Sequence, residues 1–359
     1  MFSEFLQKYN IGEKKLAVGV SGGADSLALV LMMNEELSPL GIRIVALTVD
    51  HGLRAESARE ASYVAAVMAE NGIEHHILRW EGPKPVNGVE EAARQARYGL
   101  LGQDCAENGI GALAVAHHLQ DQAETFLMRL QRGSGLDGLC GMAPVSHRGS
   151  LRIIRPLLET ASEFLKDYLR QKQVVWVEDP SNQSDDYLRV RVRKFMPLLS
   201  ERLGIDAARI VSTMQTLSFS RDCLNRQAAK FVENHVRKWN GAGFCFSRRA
   251  FEQLPTEIAF RVLGSLIKET GGREYAPEGR EIMRLQGLLS GEEFKGCTLG
   301  DCEIFLFREK IWGVPELKSK RVLTKKEWDV FCEFNAAYKK IRLPYKLRLS
   351  LYKLNPIYR

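Results

Sequence analysis

No CxxC pair occurs in this 359-residue sequence, and the two closest of its seven cysteines are Cys297 and Cys302. That scatter argues against a disulfide framework or a zinc site, and for reduced thiols in the cytoplasm. No apolar run approaches the length of a membrane span, because Gly, Asp or Arg interrupts the longest ones. The opening MFSEFLQKYN has no basic stretch followed by an apolar block, so no secretory signal is expected. Internal repeats and low-complexity stretches are absent as well. What remains is an ordinary globular composition, 45% hydrophobic and 26% charged. The length favours two domains, with a short appendage allowed for.

Charge is unevenly placed. Residues 316–359 hold twelve Lys or Arg against four Asp or Glu, so the formal net charge of +7 is concentrated there. A polyanionic partner such as RNA would suit this tail, as would plain solvation of a basic segment.

The first half alternates short apolar runs with longer amphipathic ones. Residues 15–20, 42–49, 73–78 and 112–116 read as buried strands; 26–37, 55–71 and 89–108 read as helices ending near Gly, Pro or Asn. Such alternation predicts βαβ units: an α/β, Rossmann-like parallel sheet with helices on both faces. Ligands of these sheets sit at the carboxyl ends of the strands. Beyond residue 199 the pattern changes. Residues 204–236 read as a helical connection, 237–315 as a smaller mixed α+β domain and 316–359 as the basic tail, which leaves 1–203 as the first domain.

The motifs follow the strands. SGGADS, residues 21–26, stands between the first strand and the first helix. Gly22 and Gly23 would let the backbone approach a phosphate, and the N–H groups around Ala24 at the helix start would face it. Ser21 and Ser26 add hydroxyls. Asp25 would repel phosphates unless a cation lay between, which suggests Mg²⁺. No GK[ST] follows, so this is not a Walker loop. The second strand ends in TVDHGLR, which puts Asp50, His51 and Arg54 near the same edge; a helix cap and plain loop residues are the simpler account. After the fourth strand, HHLQDQAETF offers His117, Asp121 and Glu124 at i, i+4 and i+7, a spacing that predicts one shared helix face. A metal site, a solvated polar face and a grip for an amine substrate all fit these residues. The following RGSGLDGLCGM reads as a mobile loop over the site or as a wide turn.

SGGADS resembles the PP-loop of the ATP pyrophosphatase superfamily. SGGADS, VDHGLR, HHxxDQAET and RGSGLDGLCGM also stand in the order found in tRNA(Ile)-lysidine synthetases. RPLLE (155–159), the WVEDPSNQSDDYLRVRVRKFMPLL stretch (176–199) and GCTLGDCEIFLFRE (296–309) continue the resemblance over roughly residues 15–310. Two positions depart from it: Gln120 stands where many members carry Asp, and Val190 where the family often has Asn.

The resemblance implies a PP-loop ATPase domain and a two-step reaction. ATP adenylates the C2 oxygen of the wobble cytidine of a tRNA(Ile) with a CAU anticodon. The ε-amine of free lysine then displaces AMP, giving lysidine. It assigns Ser21, Gly22, Gly23, Ala24, Asp25 and Ser26 to ATP, with Asp25 on Mg²⁺. Asp121 and Glu124 would hold the lysine, and one would take its proton. His117 and Arg189 would stabilise charge at the α-phosphate. Arg97, matching a family arginine in RQARY, is a further candidate cation and is grouped with Arg191, Arg193 and Lys194 as a tRNA contact. A homodimer is a candidate assembly. The alternatives are a PP-loop tRNA thiolation enzyme, which would call for suitably placed cysteines, and a non-catalytic nucleotide- or RNA-binding protein.

Overall fold

Strand β1 (Lys15–Gly19) is wholly apolar at its centre because helices cover both of its faces: Leu16 and Val18 enter one core and Ala17 the other. This strand is the middle of a six-stranded sheet in a computed structural model. The structure describes residues 1–52, 57–82, 88–149, 151–178, 188–239, 241–273, 275–291, 294–316, 323–335, 338 and 343–354, without the side chains of 89–91, 330 and 334. Residue contacts divide the chain into two compact units, Met1–Ser218 and Phe219–Arg359.

In the first unit β2 (Arg43–Asp50), β3 (Glu74–Arg79), β4 (Ala112–Ala114), β5 (Val145–Arg148) and β6 (Leu151–Ile154) join β1 in the order β3-β2-β1-β4-β6-β5. All neighbours are parallel except the edge hairpin β5–β6. Helices α1 (Phe2–Lys8), α2 (Ala24–Leu37), α3 (Ser57–Glu70) and α7 (Ser162–Gln171) pack on one face. Helix α4 (Val89–Glu107) covers the other through Leu101 and Cys105. This is the α/β architecture read from the alternation. The hairpin β5–β6 went unforeseen, since its two strands are only four residues each. The expected helix start at Ala55, together with Arg54, lies outside the described residues, as does the 179–187 portion of the DPSN stretch.

Strand order reverses at β1: β2 lies on one side and β4 on the other. The carboxyl ends of β1 and β4 are therefore neighbours, with Val18 in register with Ala114. Ligands of open α/β sheets settle at this crevice. Helix α5 (Leu119–Gln131) leaves from the end of β4, and α8 (Leu188–Leu203) packs beside it.

The long helix α9 (Ala207–His235) follows α8, and the second unit is built on an antiparallel sheet of β7 (Arg237–Trp239), β8 (Gly243–Ser247), β11 (Lys310–Pro315), β10 (Cys302–Phe307) and β9 (Cys297–Leu299), in that order, with the short helix α10 (Arg248–Glu252) after β8. Period-two alternation sends Phe244, Phe246, Ile304 and Ile311 to the face covered by α11 (Thr256–Gly271) and α12 (Gly279–Ser290). Cys245, Phe305, Trp312 and Val314 point to the other face, where Trp328 and Phe331 of α13 (Lys325–Phe334) and Leu347 and Tyr352 of α14 (Tyr345–Leu354) are buried. The basic segment thus supplies most of the core on this second face of the sheet.

Candidate active site

The loop after β1 is shaped by its own hydroxyls. The Ser21 N–H donates to Ser26 Oγ at 3.1 Å, and Ser26 Oγ donates to the Gly23 carbonyl at 3.0 Å. Gly22 adopts φ +85°, a left-handed conformation that favours glycine. The Gly22 carbonyl accepts from Val177 N–H at 2.9 Å, tying the loop to the stretch after α7. Helix α2 starts at Ala24, so its amino end faces the loop with Asp25 in its first turn.

The residues after β4 do not form the single helix face that the spacing predicted. The helix begins only at Leu119, and His117 precedes it. His118, which the motif reading had passed over, occupies the junction instead. Its Nε2 lies 3.5 Å from Asp25 Oδ2 and 3.5 Å from Asp121 Oδ2, while its backbone N–H donates to Asp121 at 3.1 Å. A buried imidazole thus joins the carboxylate of the loop to that of α5. Burial works against protonation of His118, but the hydrogen bond to Asp25 and the charge of Asp121 outweigh it and raise its pKa. His117 behaves oppositely: burial dominates, with Arg155, Arg189 and Arg94 adding to it, and its pKa falls to about 4 despite Asp121. His117 is a neutral imidazole near pH 7, able to accept or donate a hydrogen bond but not to act as a cation.

Glu124 is 1% exposed and meets two guanidinium groups from α8. Arg193 Nε donates to Oε1 at 2.7 Å, and Arg193 Nη2 to Oε2 at 3.3 Å. Arg189 Nε stands 3.5 Å from Oε2. Arg193, grouped by sequence with Arg191 and Lys194, is therefore engaged on Glu124 with about half of its side chain still exposed, whereas Arg191 and Lys194 are exposed on the other side of α8. Arg97 lies elsewhere, on α4, its Nε donating to His51 Nε2 at 3.4 Å. Asp50 accepts from Gly52 N–H at 2.9 Å, within its own turn, and from Ser57 Oγ at 2.7 Å, the hydroxyl of the first residue of α3.

Both departures from the family motifs have local explanations. Gln120 Oε1 accepts the Ser162 N–H at 3.0 Å and so caps α7, whose own N-cap residue, Ala161, cannot. Val190 is buried at 7% exposure, where an apolar side chain suits α8. The glycine-rich loop contains a short helix, α6 (Leu136–Leu139). Arg129 Nη1 donates to the Gly138 and Gly141 carbonyls at 2.7 and 3.0 Å, and Gln122 holds both the N–H and carbonyl of Met142 at 2.8 Å. These bonds favour the wide turn over the mobile loop.

A divalent cation fits the chemistry of the donors. Asp25 Oδ1 is buried without a hydrogen-bond partner among the described residues. No three metal-ligating side chains converge among those residues, so an ion here would take most of its ligands from phosphates and water, the habit of Mg²⁺.

Similarity to known proteins bears on the family. The PP-loop domain family matches residues 1–199. A tRNA(Ile)-lysidine synthase from Ruegeria pomeroyi is 35% identical over 319 residues, covering 88% of this chain and 75% of the relative. That from Hyphomonas neptunium is 38% identical, covering 84% and 81%, and that from a Bradyrhizobium species is 40% identical, covering 71% and 74%. The U34-tRNA thiolase NcsA from Methanococcus maripaludis aligns with a TM-score of 0.51 over 60% of this chain and 79% of its own, at 20% identity, a likeness of fold alone. By its PP-loop domain and by these relatives, the chain belongs to the tRNA(Ile)-lysidine synthase family, enzymes of the ligase class.

Proposed function

We propose that this enzyme joins free lysine to C2 of the wobble cytidine of a tRNA(Ile) bearing a CAU anticodon, consuming ATP and releasing pyrophosphate and AMP. The observation that carries the reading is the meeting of the PP-loop carboxylate Asp25 with Asp121 across His118, beside the Glu124–Arg193 pair. One side of this arrangement suits polyphosphate and the other a cationic amine.

In the first step the backbone N–H groups of residues 22–26, with Ser21 and Ser26, hold the departing pyrophosphate. Asp25 would hold Mg²⁺, whose contribution is to neutralise phosphate charge. Arg189, 44% exposed at its side chain, is free to lean toward the α-phosphate as negative charge builds there. His117, neutral, contributes a hydrogen bond rather than charge. In the second step the lysine ammonium binds at Asp121, the more accessible carboxylate, with Glu124 behind it. To reach Glu124 the ammonium exchanges with Arg189, the looser of the two guanidinium partners. Asp121 or Glu124 then accepts the proton that frees the amine to attack C2. Arg191 and Lys194 contact tRNA phosphates, and Arg97 a more distant part of the same tRNA. A homodimer and a cytoplasmic location belong to this reading.

Mass spectrometry of tRNA nucleosides, after incubation with ATP, Mg²⁺ and lysine, tests it. Lysidine should appear with the wild-type chain and not with Asp25→Ala, whose fold is checked by circular dichroism. A tRNA left without lysidine by a folded wild-type enzyme would overturn the reading.

A further inference from the structure

Helix α8 has two working faces. At 3.6 residues per turn, Arg191, Lys194, Phe195, Leu198 and Arg202 share an arc of about 100°. Arg189 and Arg193 lie about 160° from Arg191, on the face that meets Glu124. The inner side also packs Met196 beside Ala123, Ile210 and Met214. The outer stripe buries nothing comparable: Phe195 is 50% exposed and Leu198 44%. An aromatic ring and a leucine held in the open on a basic helix oppose the hydrophobic drive and call for an occupant.

Charge selects that occupant. On the outer stripe three cations, Arg191, Lys194 and Arg202, stand with a single acid of the same helix nearby, Glu201, which lies 3.8 Å from Arg202 in an exposed pair. A second copy of this chain on the same face would set cations against cations, since a two-fold contact pairs a patch with itself. An RNA single strand has the opposite properties: phosphates for Arg191, Lys194 and Arg202, and unstacked bases with faces for Phe195. Single-strand sites combine these two features. The helix also carries Arg189 and Arg193, so the stripe is rigidly linked to the side chains around Glu124.

We infer that the outer stripe of α8 is a stacking platform for the single-stranded loop of the tRNA, with an unpaired base on the Phe195 ring, Leu198 beneath it, and Arg191, Lys194 and Arg202 on the flanking phosphates. This deepens the proposed function and rests on it for the identity of the RNA. The platform holds a base next to the one that reacts, so it acts on affinity and register rather than on chemistry.

The test measures binding of the full-length chain to an anticodon stem-loop with a CAU loop, and to the same stem closed by base pairing, over a series of salt concentrations. Phe195→Ala should weaken binding of the open loop by about five- to a hundredfold, the range of one base–aromatic stack, without changing the salt slope. Phe195→Tyr should bind nearly as wild type, which separates stacking from folding damage. Arg191→Ala and Arg202→Ala should each lower the salt slope by about one, because each releases fewer counterions. Unchanged affinity in Phe195→Ala would overturn the inference, as would equal loss on the closed stem. So would a wild-type dimer, seen by light scattering, that Phe195→Ala or Leu198→Glu converts to monomer, for then a second copy covers the stripe. If the loop binds through Phe195 but no lysidine forms, the platform stands and the proposed function falls.

Discussion

Arg193 lays its guanidinium along the buried carboxylate of Glu124, Nε to Oε1 at 2.7 Å and Nη2 to Oε2 at 3.3 Å. The pair fastens α8 to α5 across the site, and it accounts for a carboxylate that is almost fully enclosed. Burial of one partner and exposure of the other set what each substitution does.

Removing the arginine leaves the carboxylate enclosed with only the more distant Arg189. Arg193→Ala should therefore lose about 2 kcal/mol of stability, less than a fully buried pair because the arginine is half-exposed. Urea denaturation measures this, and Arg193→Ala combined with Glu124→Gln should recover part of the loss.

Glu124→Gln keeps shape and removes charge. Adenylation of tRNA should continue largely intact, while the lysine step slows by about ten- to a hundredfold. Single-turnover kinetics that follow adenylated tRNA and lysidine separately distinguish the steps. Equal slowing of both would place Glu124 on the nucleotide side through its arginines.

Gly141 sits at φ +72°, with Gln122 Oε1 2.7 Å from where a Cβ would stand and the Met214 methyl closer still. Gly141→Ala should cost about 1–3 kcal/mol from backbone strain and displacement of the Gln122 clamp on Met142. A thermal melt reports the loss, and alanine at Gly135, where a Cβ would meet open space, is the control.

Deleting residues 320–359 should unfold the second unit rather than merely weaken RNA binding. Phe331 and Leu347 are 2% and 0% exposed against the sheet, and burial of each such side chain contributes about 1.5–3 kcal/mol. Proteolysis of the truncated chain checks this. The electrostatic share of the segment is better measured with Lys325→Ala and Lys326→Ala, both exposed, by the change in salt slope.

Glu36 accepts from Ser3 N–H at 2.9 Å and Ser3 Oγ at 2.8 Å. Burial raises its pKa, but these bonds outweigh burial and bring it from the ordinary 4.5 to about 2. A depressed carboxylate stabilises the fold above its unfolded pKa and loses that stabilisation as pH falls through its folded pKa. The stability deficit of Glu36→Gln should thus be full at pH 6 and shrink between pH 4.5 and 2, as followed by melts across that range.

Much of this molecule follows from local pattern. Apolar runs of buried-strand length between amphipathic helices specify a parallel sheet, and SGGADS between a strand and a helix specifies a phosphate cradle, since both depend on residues adjacent in the chain. Ordered motifs from residue 15 to 310 carry the family. Which side chains meet is decided elsewhere. The i, i+4, i+7 spacing placed His117 with Asp121 and Glu124, but the helix starts two residues later and His118 takes the junction, because the end of β4 sets where α5 begins. Arg191 and Arg193 are indistinguishable as neighbours in a basic run. They part company only because α8 packs against α5, turning one guanidinium onto a buried carboxylate and leaving the other in solvent. The basic segment likewise read as a tail, suited to RNA or to plain solvation, since charge counts do not show that its apolar residues recur on one side of two helices. Only the sheet of the second unit, with Trp312 and Val314 to be covered, gives those residues a partner.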